Sequence, residues 1–136
     1  MDGRQSPADV FVYGTLTSPE RVGQLVDSFT FLGPAVLHGL HAVTGTYPTL
    51  APGDEVGGRV LRTTEIQALD AYEGVDEGLY VRVDVPTLGA HFDDTVAVYV
   101  GDPDALDASV SWPGDGPFSE RVSRYVREQD VHIQPR

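Results

Sequence analysis

The sequence predicts an α+β fold, a small mixed β-barrel-like sheet with two to three peripheral short helices. Three observations carry this. Runs rich in Val, Thr, Tyr and Phe recur at 10–13, 31–46, 56–62, 79–86 and 95–100 and outnumber helical stretches. Helical spacing is confined to short windows at 19–28, 63–73 and 118–126. Glycines at 33 and 39 interrupt the longest strand-like run, as where a sheet bends into a barrel.

The elements follow in order. Residues 1–8 are polar and read as a flexible tail. Val10, Phe11 and Val12 make a short buried strand. Tyr13-Gly14-Thr15-Leu16 is then a tight loop, after which Thr17 and Ser18 offer a helix cap, Pro19 enters the first turn and Glu20 can close a capping box with Thr17. Strand, glycine turn and helix start together leave backbone N–H groups aimed at one point, which attracts a carboxylate, a phosphate or the oxyanion of a reacting carbonyl. The stretch has one glycine where a dinucleotide fingerprint has three, and it lacks the Gly-Lys-Ser/Thr of a phosphate loop. Taken alone, it is equally a tight turn whose Gly14 only relieves strain.

In the first helix, 19–28, Val22, Leu25, Val26 and Phe29 share a face, and Arg21, Gln24 and Asp27 face water. This helix can serve as a crossover between parallel strands. In the strand that follows, His38 and His41 are three apart, which places them on opposite faces as ordinary sheet histidines rather than metal ligands. Residues 47–54, with two prolines, read as a loop in which Tyr47 and Leu50 flank a pocket or anchor the loop. Gly57-Gly58 permits close backbone approach in the next strand.

The second helix opens with a Thr64–Gln67 capping pair, turns Ile66 and Leu69 to the core and ends at Gly74, a natural cap. Glu73 is its last residue, where the helix dipole and any burial both oppose its charge. That acid is either a frayed surface residue, like Asp76 and Glu77, or a group with a use. Residues 79–86 alternate, with Leu79, Val81, Val83 and Val85 on one face and Tyr80, Arg82 and Asp84 on the other. They form a hairpin with 95–100 through a connection at 87–94. Asp102-Pro103-Asp104 breaks the sheet, and 112–117 is a turn-rich connector. Phe118, Val122, Tyr125 and Val126 mark a closing helix whose other side carries Arg121, Arg124 and Arg127. Residues 130–136 read as a C-terminal tail. The domain expectation is one unit over 9–129 between two tails.

Twenty-one acidic residues face nine basic ones, for a formal net charge of -12, and every basic residue is arginine. Such a surface repels nucleic acid and anionic membranes, so both are poor partners and neither is expected. High net charge of one sign is tolerable where salt screens it, so stability is expected to rise steeply between low and molar KCl. With no cysteine, disulfides, thiolate nucleophiles and zinc-thiolate sites are excluded. No apolar run approaches a membrane span and the first residues lack a signal peptide's apolar middle, so a cytoplasmic location is expected.

The combination of motifs is more informative than any one. Val-Phe-Val-Tyr13-Gly-Thr-Leu16, a Tyr-Pro loop at Tyr47, then Leu69-Asp-Ala-Tyr-Glu-Gly74 and Tyr80-Val-Arg82 occur in that order. This resembles the gamma-glutamylcyclotransferase-like family, especially its small gamma-glutamylamine cyclotransferase branch, over roughly 9–100. The resemblance implies a mixed β-barrel with flanking helices and a cavity between the loop and the glutamate. It implies that Tyr13, Gly14, Thr15 and Leu16 hold a gamma-glutamyl group, that Glu73 is the proton acceptor, and that Tyr80 and, more weakly, Tyr47 line the cavity. Arg82, on the Tyr80 face, is expected to pair with an acid. The family often ends in a Gly-Asp-Trp segment. Here Trp112 precedes Gly114-Asp115 and a helix follows, which concerns the cavity rim.

The implied reaction is an internal aminolysis of a small-molecule gamma-glutamyl substrate to 5-oxoproline, with no metal or cofactor. Both reacting groups belong to one molecule, so the protein's task is to fold the substrate and move a proton. The loop amides would hold either the substrate α-carboxylate or the developing oxyanion. Two other readings share the fold: a binding protein using the loop as an anion socket without turnover, and an enzyme acting on a carrier-linked or peptide-linked gamma-glutamyl group.

Overall fold

The computed structural model describes residues 7–89 and 92–136. Of the expected tail at 1–8, residues 1–6 lie outside the described residues, as do 90–91 in the connection at 87–94. The elements are β1 (Ala8–Val12), a 3-10 turn at Thr15–Thr17, α1 (Pro19–Gly23), β2 (Phe29–Thr44), β3 (Pro48–Thr63), α2 (Ile66–Glu73), β4 (Tyr80–Pro86), β5 (Thr95–Gly101), α3 (Pro103–Leu106), α4 (Phe118–Glu128) and β6 (His132–Pro135). The strands form one mixed sheet in the order β4-β5-β1-β3-β2-β6. The fold is the expected α+β class, a curled half-barrel with four short helices among the described residues. No helix there is long and apolar enough to cross a membrane.

The curl has visible causes. β2 and β3 pair antiparallel along their length, with register shifts between Phe31 and Gly33 and between His38 and Leu40. Gly33 and Gly39 lie at these bulges with φ of 137° and 101°, a region other residues avoid. The sheet's edges then meet at one bridge, Thr87 opposite Ile133, with the Leu88 N–H donating to the Ile133 carbonyl at 2.9 Å.

β1 lies inside the sheet, antiparallel to β3 and parallel to β5. Asp9 is buried there, and its carboxylate accepts from Arg62 Nε at 2.7 Å and Arg62 Nη2 at 3.0 Å across the β1–β3 pair. Both faces of β1 and β5 are buried, so Val10–Val12 and Val96–Val100 are continuously apolar rather than alternating. Phe11, Val96, Val98 and Val100 join a cluster with Leu37, Leu40 and Val60 that α4 closes with Val122 and Val126. Val10, Val12, Ala97 and Tyr99 join a second cluster with Leu61, Tyr80, Val22 of α1 and Leu69 of α2.

Several expectations need correction. The first helix ends at Gly23, not 28; the Asp27 and Ser28 amides donate to the Glu65 carboxylate at 3.0 and 2.7 Å, and Phe29 already belongs to β2. The parallel pair is β1 with β5, so α1 alone is not the crossover. The expected loop at 47–54 is largely strand. Pro48 opens β3, and Pro52 faces Leu40 at the bulge, the two kinds of place where a missing N–H costs least. The Asp102-Pro103-Asp104 break is the start of α3, with the Asp102 side chain accepting from the Asp104 N–H at 2.9 Å. Residues 130–136 are not a tail: β6 pairs with β2, and Val131 and Ile133 are fully buried.

The two histidines also read differently. The bulge at Gly39 falls between His38 and His41, so simple alternation does not set their faces. His38 stacks on His132 with centroids 4.9 Å apart, and His41 Nδ1 lies 3.2 Å from the Gly53 carbonyl. Among the described residues no cluster of His, Asp and Glu could hold a metal.

Candidate active site

β1 delivers the chain to the end of the sheet, where Tyr13 and Gly14 leave it. The 3-10 turn at Thr15–Thr17 closes with the Thr17 N–H and hydroxyl both donating to the Gly14 carbonyl, at 3.0 and 2.7 Å. Thr17 therefore serves this turn and no Thr17–Glu20 capping box forms; Ser18 stands at the start of α1 without a side-chain cap, and Pro19 follows. The leading amides of such a turn have no acceptor within it. A Cβ built on Gly14 would meet nothing within 4 Å, and its φ is not in the left-handed region, so the fold does not require glycine there.

α2 brings the acid. It begins without the expected Thr64–Gln67 capping box; instead the Thr63 hydroxyl oxygen accepts from the Glu65 N–H at 3.0 Å. It ends at Gly74 with φ 69°, where a Cβ would press on Leu79 at 2.8 Å. Glu73 thus stands on the last turn. Asp70, three residues earlier, accepts from the Tyr99 hydroxyl at 2.6 Å and pairs with Arg82 Nη1 at 3.2 Å, tying α2 to β5 and β4. Arg82 has the acidic partner that the sequence led us to expect.

Glu73, Tyr13, Gly14, Leu16, Tyr47 and Tyr80 all line one cavity of about 430 Å³. Thr15 contributes backbone to the turn, and its side chain lies outside the description. The wall also includes Phe11, Val12, Pro48, Tyr72, Leu79 and Tyr99, which sequence reasoning did not assign to it. For Tyr72 the signal was adjacency to Glu73. For Tyr99 it was the lone aromatic in the Val-Ala-Val-Tyr-Val run, on the face opposite the valines. Trp112 is elsewhere: it is buried in the α4 cluster, edge-on to Phe118 and Tyr125, and no part of the cavity wall.

The electrostatics follow from desolvation. Burial pushes the Glu73 carboxyl up to about 7. Burial raises Tyr13, Tyr80 and Tyr99 as well, with the Glu73 charge adding to each and the Asp70 hydrogen bond adding to Tyr99. These phenols stay neutral and spend their protons within the protein. Tyr80 donates to the Pro48 carbonyl at 2.6 Å, and Tyr13 donates to the Tyr99 carbonyl at 2.9 Å. The arrangement can exchange a proton near neutral pH inside an aromatic chamber, beside the turn that follows β1.

Residues 10–115 match the model of a family described as Gamma-glutamyl cyclotransferase, AIG2-like. Among solved structures, the chain is similar to an uncharacterized protein from Homo sapiens, with TM-score 0.63 and 25% identity over 72% of this chain and 68% of that one. It is also similar to a gamma-glutamyl cyclotransferase, with TM-score 0.60 and 20% identity over 90% and 99% of the two chains, a likeness of fold. A protein from Arabidopsis thaliana shares 27% identity with TM-score 0.51 over 95% and 88%. No curated protein matches the chain.

Proposed function

The chain belongs to the Gamma-glutamyl cyclotransferase, AIG2-like family, and from that premise we propose that it converts a small gamma-glutamyl amine or amide to 5-oxoproline and the free amine. The substrate's α-amino nitrogen attacks its own side-chain carbonyl carbon, forming the ring C–N bond. The C–N bond to the amine then breaks. Glu73 takes the proton that makes the α-ammonium a free amine and returns it to the leaving nitrogen; the second proton, shed as the ring closes, leaves with the released amine as its ammonium, so no water is consumed and no covalent enzyme intermediate forms.

The observation that carries this reading is that Glu73 and the Gly14–Leu16 turn line the same cavity. An ordinary glutamate near 4.3 is a poor base for an α-ammonium near 7.7–8.0. Burial lifts Glu73 to about 7, close enough to accept and return that proton. The turn amides take the substrate α-carboxylate, and Tyr13, Tyr47 and Tyr80 shape the chamber that folds the substrate back on itself. Thr15 supplies backbone to that turn. The open space at the missing Gly14 Cβ lets the ligand approach the main chain.

The test is 5-oxoproline release from a panel of gamma-glutamyl amines, amides and peptides, measured across a KCl series. Release from at least one amine or amide is expected. Ligand-dependent thermal stabilisation with no product from any of them would mean a binding protein of this fold instead.

A further inference from the structure

We propose that Asp70 and Arg82 are positioning residues for the acid: they hold the last turn of α2 against the sheet and balance the charge beside Glu73, so that losing one member of the pair, but not both, moves the pH at which the site works. This deepens the cyclotransferase reading above and rests on it.

The geometry begins at Tyr99. Its carbonyl accepts from the Tyr13 hydroxyl at 2.9 Å, and its own hydroxyl donates to Asp70 Oδ1 at 2.6 Å. One residue of β5 thus touches both the end of β1 and the helix that carries the acid. Arg82 of β4 engages the other oxygen, with Nη1 at 3.2 Å from Asp70 Oδ2. Asp70 and Glu73 are three apart on α2, neighbours on one side of the helix. What fixes Asp70 therefore fixes the turn that ends at Glu73.

The same atoms set the charge. After burial, the Asp70 hydrogen bond and charge raise the Tyr99 phenol, Arg82 lowers it and Glu73 raises it. The three charges thus act on one hydroxyl. Everything else that titrates in the cavity wall is a phenol: Tyr13 from the turn, Tyr80 of β4, Tyr99 of β5, Tyr47 before β3 and Tyr72 of α2. Phenols carry no charge near neutral pH. Asp76 and Glu77 follow α2 in an exposed turn, and Asp84 stands two residues beyond Arg82 on the exposed face of β4. With both members present the pair is neutral as a whole, and burial is what lifts Glu73. Asp70→Asn keeps an acceptor for Tyr99 but leaves Arg82 unbalanced, which favours the ionised acid. Arg82→Met keeps the stem but leaves Asp70 unbalanced, which opposes it.

The test is a carbon-13 NMR titration of the Glu73 carboxyl at fixed ionic strength, its resonance identified by its loss in Glu73→Gln, run beside the pH profile of kcat/KM. The Glu73 midpoint and the acid limb are expected to fall by about 0.5–1 pH unit in Asp70→Asn and to rise by about as much in Arg82→Met. Both return close to wild type in Asp70→Asn/Arg82→Met and in Arg82→Lys, although each of these alters the contact. A role in holding the fold alone would lower kcat or stability and leave the midpoints unmoved, or move them the same way in both single variants; either result overturns the inference. Should Arg82→Met not fold, Arg82→Gln makes the same charge change. The NMR midpoints decide the inference with no substrate present. Product with unmoved midpoints overturns it and leaves the cyclotransferase reading standing. Opposed midpoints with no 5-oxoproline from any gamma-glutamyl compound support the charge balance and count against that reading.

Discussion

The cluster under α4 is filled with aliphatic side chains, Phe11 and Trp112, whereas the one under α1 and α2 includes Tyr80 and Tyr99 and supplies much of the wall of a 430 Å³ cavity. Both are built on the same strands: in β5, Val96, Val98 and Val100 serve the first and Ala97 and Tyr99 the second. What differs is the cover. α4 has eleven residues and buries Val122 and Val126, while α1 has five and α2 eight. A short cover leaves space at the end of the sheet, and that space holds the candidate site. A face can be apolar throughout and still be left open.

Substitutions on the two sides should separate accordingly. The largest effect is expected from Glu73→Gln, which should lower kcat by about 10²–10⁴ with the protein still folded and still binding substrate, as read by product release and calorimetry. Retained turnover would remove the acid from the mechanism. On the closed side, Leu37→Ala deletes a fully buried side chain and should cost about 2–5 kcal/mol in urea unfolding, with KM unchanged in the folded fraction.

A pH series sharpens the contrast. Glu73 titrates near 7 in the folded chain, above its unfolded value, so the folded state binds more protons between about 4.5 and 7. Its stabilising contribution is complete below that window and is lost as pH rises through 7. Wild type should therefore lose on the order of 1–3 kcal/mol relative to Glu73→Gln between pH 5 and pH 8, whereas Leu37→Ala should run parallel to wild type. The acid limb of kcat/KM should fall near pH 7, since the base works only when ionised.

The finest comparison uses two glycines. A Cβ on Gly58 would collide with the Val12 carbonyl and sit 2.7 Å from Phe11 Cζ, so Gly58→Ala should destabilise by about 1–3 kcal/mol. Gly14→Ala has free space and should stay within about 0.5 kcal/mol of wild type while raising KM several-fold. A Gly14→Ala protein with unaltered KM would show that no ligand approaches the turn.

Local signals carried much of this architecture. The β1 run, the Gly74 cap that ends α2 at Glu73, and the bends at Gly33 and Gly39 each depend on residues a few positions apart, and each is visible in the chain. What escaped depends on distant partners. The prolines at 48 and 52 argue for a loop until β2 is known to pair beside them. Residues 132–135 look like a tail because nothing local requires a strand; their partner is Ala35 to His38, about a hundred positions earlier. The site divided in the same way. Motif order pointed to Glu73 and the Tyr13–Leu16 turn, but alternation assigns Tyr99 only to a face and cannot say that this face ends at a cavity.

β6 occupies one flank of β2 from Ala35 to His38, and the Arg136 amide continues the contact by donating to the Pro34 carbonyl at 3.0 Å. Proteolysis just after α4 would strip that flank and uncover main-chain donors and acceptors beside Leu37. Such a surface recruits a strand from another molecule. A clipped preparation would thus be recognised by its growth in particle size before any change in its chemistry.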